Sequence, residues 1–318
     1  MSGVTLLDSR AVGPFRQCPL CQSKDADPFL EGARDLEYGT GGEHLYVKCR
    51  GCSFVIMDPI PPFSEIVTFY PSDYHAYQEG DRGLARALKG LYSRMRAKQF
   101  SRLIGTTGHI CEIGASDGEF LHHLQEVGDW QLSGVELDPE MVERARAKGL
   151  DIRHSTFEQA GYPAESFDLV VMSHLIEHVQ DPVETMAETA RTLKPGGYVV
   201  GETPNIASWD YKIFGRFWGG FHVPRHLYLF SGETLRRLLD KAGFEEIRLI
   251  HAVQPSHWAI GVQNFLRGRN PSPSRLEGGR AFYFPLLLLA FLPIQIVQSL
   301  LGASSIIGFE ARKSGTGP

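Results

Sequence analysis

The sequence predicts an α/β fold: a seven-stranded, mostly parallel sheet with helices on both faces, preceded by a small four-cysteine module. Three observations lead there. Short apolar strands alternate with helical stretches through the middle of the chain, a glycine turn follows the first of those strands, and two C-x-x-C pairs stand near the N-terminus. The 318 residues suffice for one such domain plus an appendage, and 42% apolar with 22% charged residues is an ordinary globular composition. With 32 basic against 37 acidic residues the net charge is −5, so no nucleic-acid partner is expected. The opening MSGVTLLDSR lacks a basic start followed by an apolar run, and a cytoplasmic protein is expected.

Taken in order, residues 1–60 hold Cys18, Cys21, Cys49 and Cys52, the two pairs separated by 27 residues. Two such knuckles, each giving two thiolates from a tight turn, are a means of building a closed tetrahedral zinc site. Without a secretion signal, metal ligation is favoured over disulfides. Four cysteine ligands leave no open position, so the zinc is expected to be structural, and Gly51 is expected to supply a left-handed turn. Residues 61–104 read as a Pro- and Tyr-rich linker followed by a helix from Arg82, with seven basic residues and with Leu84, Leu88, Leu91 and Met95 on one face.

The core is expected over 105–253. Strands are predicted at 109–115, 131–137, 150–156, 167–173 and 196–202, with helices at 117–127, 139–148 and 181–193 between them. Two more strands, 244–253 and 304–313, complete seven. Cys111 lies inside the first and reads as a small buried hydrophobe. Residues 204–232 form an insertion after the fifth strand, and 254–318 a C-terminal segment.

Glu112, Gly114, Ser116 and Gly118 make the turn after the first strand. Glycines there let backbone amides approach a ligand that a Cβ would obstruct. Glu136, 22 residues beyond Gly114 at the end of the second strand, is placed to accept hydrogen bonds from two ribose hydroxyls. A dinucleotide fingerprint would need glycine at 116 and 119, where the chain has Ser116 and Glu119. Asp117 and Glu119 at a helix N-terminus would repel a pyrophosphate. A nucleoside carrying a sulfonium and an ammonium, as S-adenosylmethionine does, tolerates acids and fits better.

With EIGASDGEFL, GVELDPEMVERA, FDLVVMSHLIEHVQDP and ARTLKPGGYVVGETPN in this order and spacing, residues 105–250 resemble the class I, Rossmann-like S-adenosylmethionine-dependent methyltransferases, in particular the ubiquinone O-methyltransferase-like group. Ser116 departs from the second glycine of many members, and its small size makes it tolerable. The resemblance implies that Glu112, Gly114 and Gly118 flank the methionine part of the donor. It further implies that Glu136 holds the ribose, that Phe157 and its neighbours lie near the adenine, and that Ser173 and His174 sit beside the sulfonium. A cysteine module before such a core resembles methyltransferases of deoxysugar and polysaccharide pathways, where module and linker cover the substrate; Tyr74 and His75 are then substrate-side candidates.

Methyl transfer from a sulfonium requires in-line alignment, and an acceptor hydroxyl or carbon acid must also lose a proton. His174 and His178 are four apart on one face of a turn. His222 and His226 cluster with Arg225 in the insertion, where substrate is expected. His222 is the leading base candidate, with His226 and His178 beside it. Arg225 is expected either to clamp an anionic group or to pair with an acid such as Glu202. His174, Glu177 and His178 also spell the inverted zinc-peptidase motif, which is set aside because no downstream acid offers a third ligand.

Residues 281–309 are apolar enough to suggest a membrane span, but Pro285, Pro293, Gln295 and Gln298 interrupt them and the last strand must rejoin the sheet. Residues 281–303 are therefore expected to pack on the core, to meet a second copy, or to rest on a membrane surface aided by Arg267, Arg269, Arg275 and Arg280. The acceptor is expected to be a small molecule, sugar-like or lipid-linked. The alternatives are a quinone or phenol acceptor and a non-catalytic binding protein on the same fold.

Overall fold

The computed structural model describes residues 15, 17–70, 84–269 and 281–315. Tyr74 and His75 lie outside these residues, as do Arg275 and Arg280. The seven-stranded sheet contains β4 (Thr107–Ile113), β5 (Asp129–Glu136), β6 (Asp151–His154), β7 (Phe167–Ser173), β8 (Leu193–Pro204), β10 (Phe244–Ala252) and β11 (Ile306–Lys313). Its order is β10-β11-β8-β7-β4-β5-β6, parallel except for β11, which runs against both neighbours. Central strands buried on both faces need continuous apolar runs. Accordingly Ile110, Cys111, Leu169, Val170 and Val171 are fully buried.

Helices enter by side-chain caps. Asp138 and Asp181, each followed by proline at the first helical position, accept backbone N–H bonds of 2.8–3.1 Å at the heads of α4 (Pro139–Ala147) and α5 (Pro182–Thr192). The other core helices are α2 (Leu84–Ile104), α3 (Glu119–Gln125) and α7 (Gly232–Lys241). In α2 the face turned to the sheet is not the expected one. Ser93, Ala97 and Phe100 are buried, while Leu91 and Met95 point to solvent. Phe100 packs edge-on against Phe120 of α3, and this aromatic contact fixes the rotation of the helix.

A second, antiparallel sheet runs β1 (Ala26–Ala33), β2 (His44–Cys49), β3 (Val55–Met57) and β9 (Tyr228–Leu229). Its fourth strand comes from the insertion: Val55 pairs with Leu229 and Ile56 with Tyr228. Phe54 stacks on Tyr228, with ring centroids 5.5 Å apart and planes 6° from parallel. The short α1 (Phe63–Ile66) leads from this sheet toward the core, and α6 (Trp209–Phe214) lies within the insertion.

The C-terminal pair α8 (Ser256–Arg269) and α9 (Phe284–Leu300) packs against α6 and the edge strand β10. Among the described residues no helix is long and apolar enough to cross a membrane. The polarity of α9 is inverted. Gln295 and Gln298 are fully buried, while Leu286 and Leu289 are each 70% exposed and Leu300 is 81% exposed. The glutamines turn inward because buried partners await them. Gln298 bonds Asp210 at 3.1 Å and accepts from the Trp258 indole at 2.8 Å, and Gln295 bonds the Ser305 hydroxyl at 2.6 Å.

Candidate functional site

The turn after β4 is built as its glycines require. The amides of Gly114 and Ala115 both donate to the Val135 carbonyl at 2.9 and 3.0 Å, folding the chain across the end of β5. Gly118 has φ 73°, and a Cβ there would lie 2.4 Å from Leu150 Cδ1 and 2.9 Å from Ala145 Cβ. Gly118→Ala should therefore cost about 2 kcal/mol in urea unfolding, through left-handed strain and overpacking. Ser116 also sits in the left-handed region, at φ 48°, as do His174 at 49° and His222 at 38°. Non-glycine residues seldom adopt it.

Glu112 is buried with Oε2 lacking any hydrogen bond. Burial raises its carboxyl to about 8; Arg96 of α2 opposes the rise, while Glu136 and Asp117 add to it. Arg96 in turn has Nε and Nη2 buried without partners. Its Nη1 donates to Gln99 at 2.8 Å, so Glu112 keeps one open oxygen and Arg96 two open nitrogens, an arrangement that a zwitterionic amino-acid group would complete. Glu136 accepts from Ser116 N at 2.8 Å, Leu137 N at 2.7 Å and Asp138 N at 3.0 Å, so ribose hydroxyls would share a carboxylate already holding three donors. Asp117 is paired with Lys148 at 2.6 Å, which offsets its charge and leaves the repulsion of a pyrophosphate to Glu119. Phe157 is buried, its ring 6.0 Å from Tyr162.

At the end of β7, Ser173 is followed by a turn carrying His174, Glu177 and His178. The turn packs directly on the glycine loop, for a Cβ on Gly114 would lie 3.0 Å from Leu175 Cδ1. His174 lies between two carboxylates, Nδ1 3.5 Å from Glu177 and Nε2 3.5 Å from Glu202. Burial lowers its pKa, but the two acids outweigh burial and the net shift is upward. His178 and His226 are packed edge to face at 4.5 Å, and His222 lies 5.0 Å from His226. The structure thus brings together the three base candidates, and adds Glu37 of the cysteine module, 3.5 Å from His222 Nδ1.

Arg225 does not meet Glu202. Its guanidinium is fully buried, 2.9 Å from Asp35 Oδ2, 3.2 Å from the Phe69 carbonyl, and 4.9 Å above the Tyr38 ring. It joins the insertion to the cysteine module instead of facing an open pocket. Tyr46 reinforces the joint by donating to the His226 carbonyl at 2.7 Å. Sequence reasoning missed Asp35, Glu37 and Tyr46, and no spacing in the chain signals them.

Cys18 and Cys52 lie 3.5 Å apart, as do Cys21 and Cys49, and all four sulfurs fall within 4.8 Å of one another. These separations are far above a disulfide bond and near those of a tetrahedral thiolate site with Zn–S of about 2.3 Å. Each knuckle closes with a backbone bond of 2.9 Å, from Gln22 N to Cys18 O and from Ser53 N to Cys49 O. The left-handed residues are Gln22 and Ser53, both at φ 63°, and not Gly51. Gly51 is needed for space, since a Cβ would lie 2.9 Å from Cys21 Sγ.

A glycine turn and an acid-tipped second strand on this strand order define a Rossmann-like nucleoside-binding domain. Residues 77–249 match the family model described as a methyltransferase domain, and the chain belongs to that family. A probable S-adenosylmethionine-dependent methyltransferase of Mycolicibacterium smegmatis is 30% identical over 142 residues, 43% of this chain and 51% of that protein. A ubiquinone biosynthesis O-methyltransferase of Xanthomonas oryzae pv. oryzae is 32% identical over 112 residues, 33% of this chain and 46% of that protein. These matches span about half the length of the curated relatives. A solved S-adenosylmethionine-dependent methyltransferase of Archaeoglobus fulgidus is 19% identical with a TM-score of 0.49, covering 73% of this chain and 96% of that one.

Proposed function

We propose that the protein transfers a methyl group from S-adenosylmethionine to a hydroxyl of a small phenolic or quinol-like acceptor. The observation that carries the reading is the open oxygen of Glu112 and the open nitrogens of Arg96, with the histidine cluster on the turn that packs against the glycine loop. Glu112 would receive the donor's ammonium and Arg96 its carboxylate. Gly114, Ser116 and Gly118 would line its path, Glu136 would take the ribose, and Ser173 with His174 would stand beside the sulfonium. His222, oriented by Glu37, would accept the acceptor's proton, with His178 and His226 shaping the pocket.

The phenolic class is supported by the names of the relatives and by Arg225, whose engagement with Asp35 removes the cation on which a sugar-phosphate clamp would rest. A lipid-linked, sugar-like acceptor is the second reading, favoured by the exposed leucines of α9, which offer a surface for a membrane or a second copy. Incubation with methyl-labelled donor is expected to label catechols and hydroquinones. Labelling of nucleotide sugars alone would select the second reading, and donor binding without turnover on any acceptor would leave a binding protein.

We also propose that Cys18, Cys21, Cys49 and Cys52 hold a structural zinc. Four thiolates converging within 4.8 Å of one another call for a cation among them. Elemental analysis is expected to find one zinc per chain, released when the thiols are blocked by a mercurial.

A further inference from the structure

One face of α9 turns a regular apolar pattern toward solvent. Leu286, Leu289, Pro293, Ile296 and Leu300 are spaced alternately by three and four residues, which brings them onto a single stripe of the helix. Leu286, Leu289 and Leu300 are 70–81% exposed, and Ile296, Val297 and Leu301 are 45–64% exposed. The helix cannot roll to hide this stripe, because its opposite face is bonded inside the fold. Gln298 is held by Asp210, Trp258 and the Ala303 carbonyl, and Gln295 by the Ser305 hydroxyl.

A repeat of about 3.5 residues on an exposed face is the pattern by which one helix seats its side chains between those of another. A lipid surface imposes no such period, and a helix that rests on one carries Lys and Arg on the face opposite its apolar side. Here the opposite face holds uncharged glutamines, and no charged residue falls between Arg280 and Glu310. The basic residues of the neighbouring stretch are engaged with the cysteine module. Arg216, just after α6, donates to the Glu31 carbonyl at 3.4 Å, and Arg267 of α8 donates to the Glu37 carbonyl at 3.2 Å. The six exposed side chains leave on the order of 700 Å² of apolar surface in water. That is more than the largest patch of an ordinary monomer, about 300–600 Å², and near the ~800 Å² that each partner gives to a standard interface.

We infer that α9 of a second copy of this chain covers the exposed face of α9, in an antiparallel homodimer centred on Pro293. The stripe reads alike from either end about that residue. Leu286 and Leu300 stand seven residues to each side of it, with Leu289 four before and Ile296 three after. Two copies related by a two-fold axis at Pro293 therefore set apolar against apolar at every step, with no charge to bury. The interface uses neither the donor turn nor the histidine cluster and does not depend on the methyl-transfer reading.

Sedimentation velocity on the full chain is expected to show a dimer at about 10 µM, with a melting temperature that rises with protein concentration. The double variant Leu289→Glu with Leu300→Glu sets carboxylates into the covered stripe and should weaken association at least about 100-fold, with an unchanged circular dichroism spectrum. If that variant fails to fold, Leu289→Gln with Leu300→Gln serves in its place. A wild type that is still monomeric at about 100 µM overturns the inference, and so does a folded variant that dimerises as tightly as the wild type. Flotation with phosphatidylglycerol vesicles tests the other occupant: a monomeric wild type that floats with them overturns the inference and gives the face to lipid.

Discussion

Asp35→Asn is expected to destabilise the protein by about 3–5 kcal/mol and to abolish methyl transfer, although Asp35 is far in sequence from the donor turn. Its carboxylate organises a loop through Glu37 N at 2.9 Å, Tyr38 N at 3.0 Å and the Thr40 hydroxyl at 2.7 Å, and it meets Arg225 at 2.9 Å. Removing the charge leaves a fully buried guanidinium uncompensated, which is costlier than losing the pair as a whole. The double variant Asp35→Asn with Arg225→Met should accordingly be less destabilised than Asp35→Asn alone. His222 and His226 flank Arg225, and Glu37 follows Asp35 by two residues, so both sides of the base's surroundings would loosen together. Burial raises the Asp35 carboxyl, but Arg225 outweighs burial and the net shift is downward. The pair's contribution is therefore present above the ordinary aspartate range, about 3.9, and lost as pH falls through the lower folded value. Urea titrations of the three proteins at pH 7, and at a pH below about 3 where the charge is being lost, measure both effects. Equal unfolding midpoints for wild type and Asp35→Asn at pH 7 would refute the joint's importance.

The seven strands and their helices were legible because β4, β7 and β8 must be apolar on both faces, and because Asp138-Pro139 and Asp181-Pro182 write helix starts directly into the chain. The donor turn was legible for a similar reason: left-handed φ and close backbone approach leave glycine where nothing else fits. What escaped were contacts between distant segments. Asp35 and Arg225 are 190 residues apart, and β9 adds two residues to a sheet begun near the N-terminus. Arg96 read as one of seven basic residues on a helix, with nothing to mark it off until packing buried its guanidinium beside Glu112. In α9 the apolar residues were plain, but their outward direction was set by partners such as Asp210 and Trp258, which only the folded chain assembles.

Donor binding is expected to weaken steeply below pH 8. Glu112 is held protonated up to about 8 chiefly by burial, and a sulfonium and ammonium arriving beside it favour its ionised form. Below pH 8 the cation must therefore expel a proton, at a cost of up to tenfold in affinity per pH unit, or about 100-fold between pH 8 and pH 6. The donor-free fold shows the opposite slope. A carboxyl raised above its unfolded value of about 4.3 contributes fully below that value and loses its contribution as pH rises through 8. S-adenosylmethionine should consequently raise the melting temperature more at pH 8 than at pH 6. Calorimetry at pH 6.5 in phosphate and in a high-enthalpy amine buffer should detect close to one proton released per donor bound. Glu112→Gln cannot ionise, so its affinity should be lower at pH 8 and flat with pH, whereas Arg96→Met should weaken binding and keep a pH slope. A wild-type affinity that does not change between pH 6 and pH 8 would remove Glu112 from the donor site and leave its unpaired oxygen unexplained.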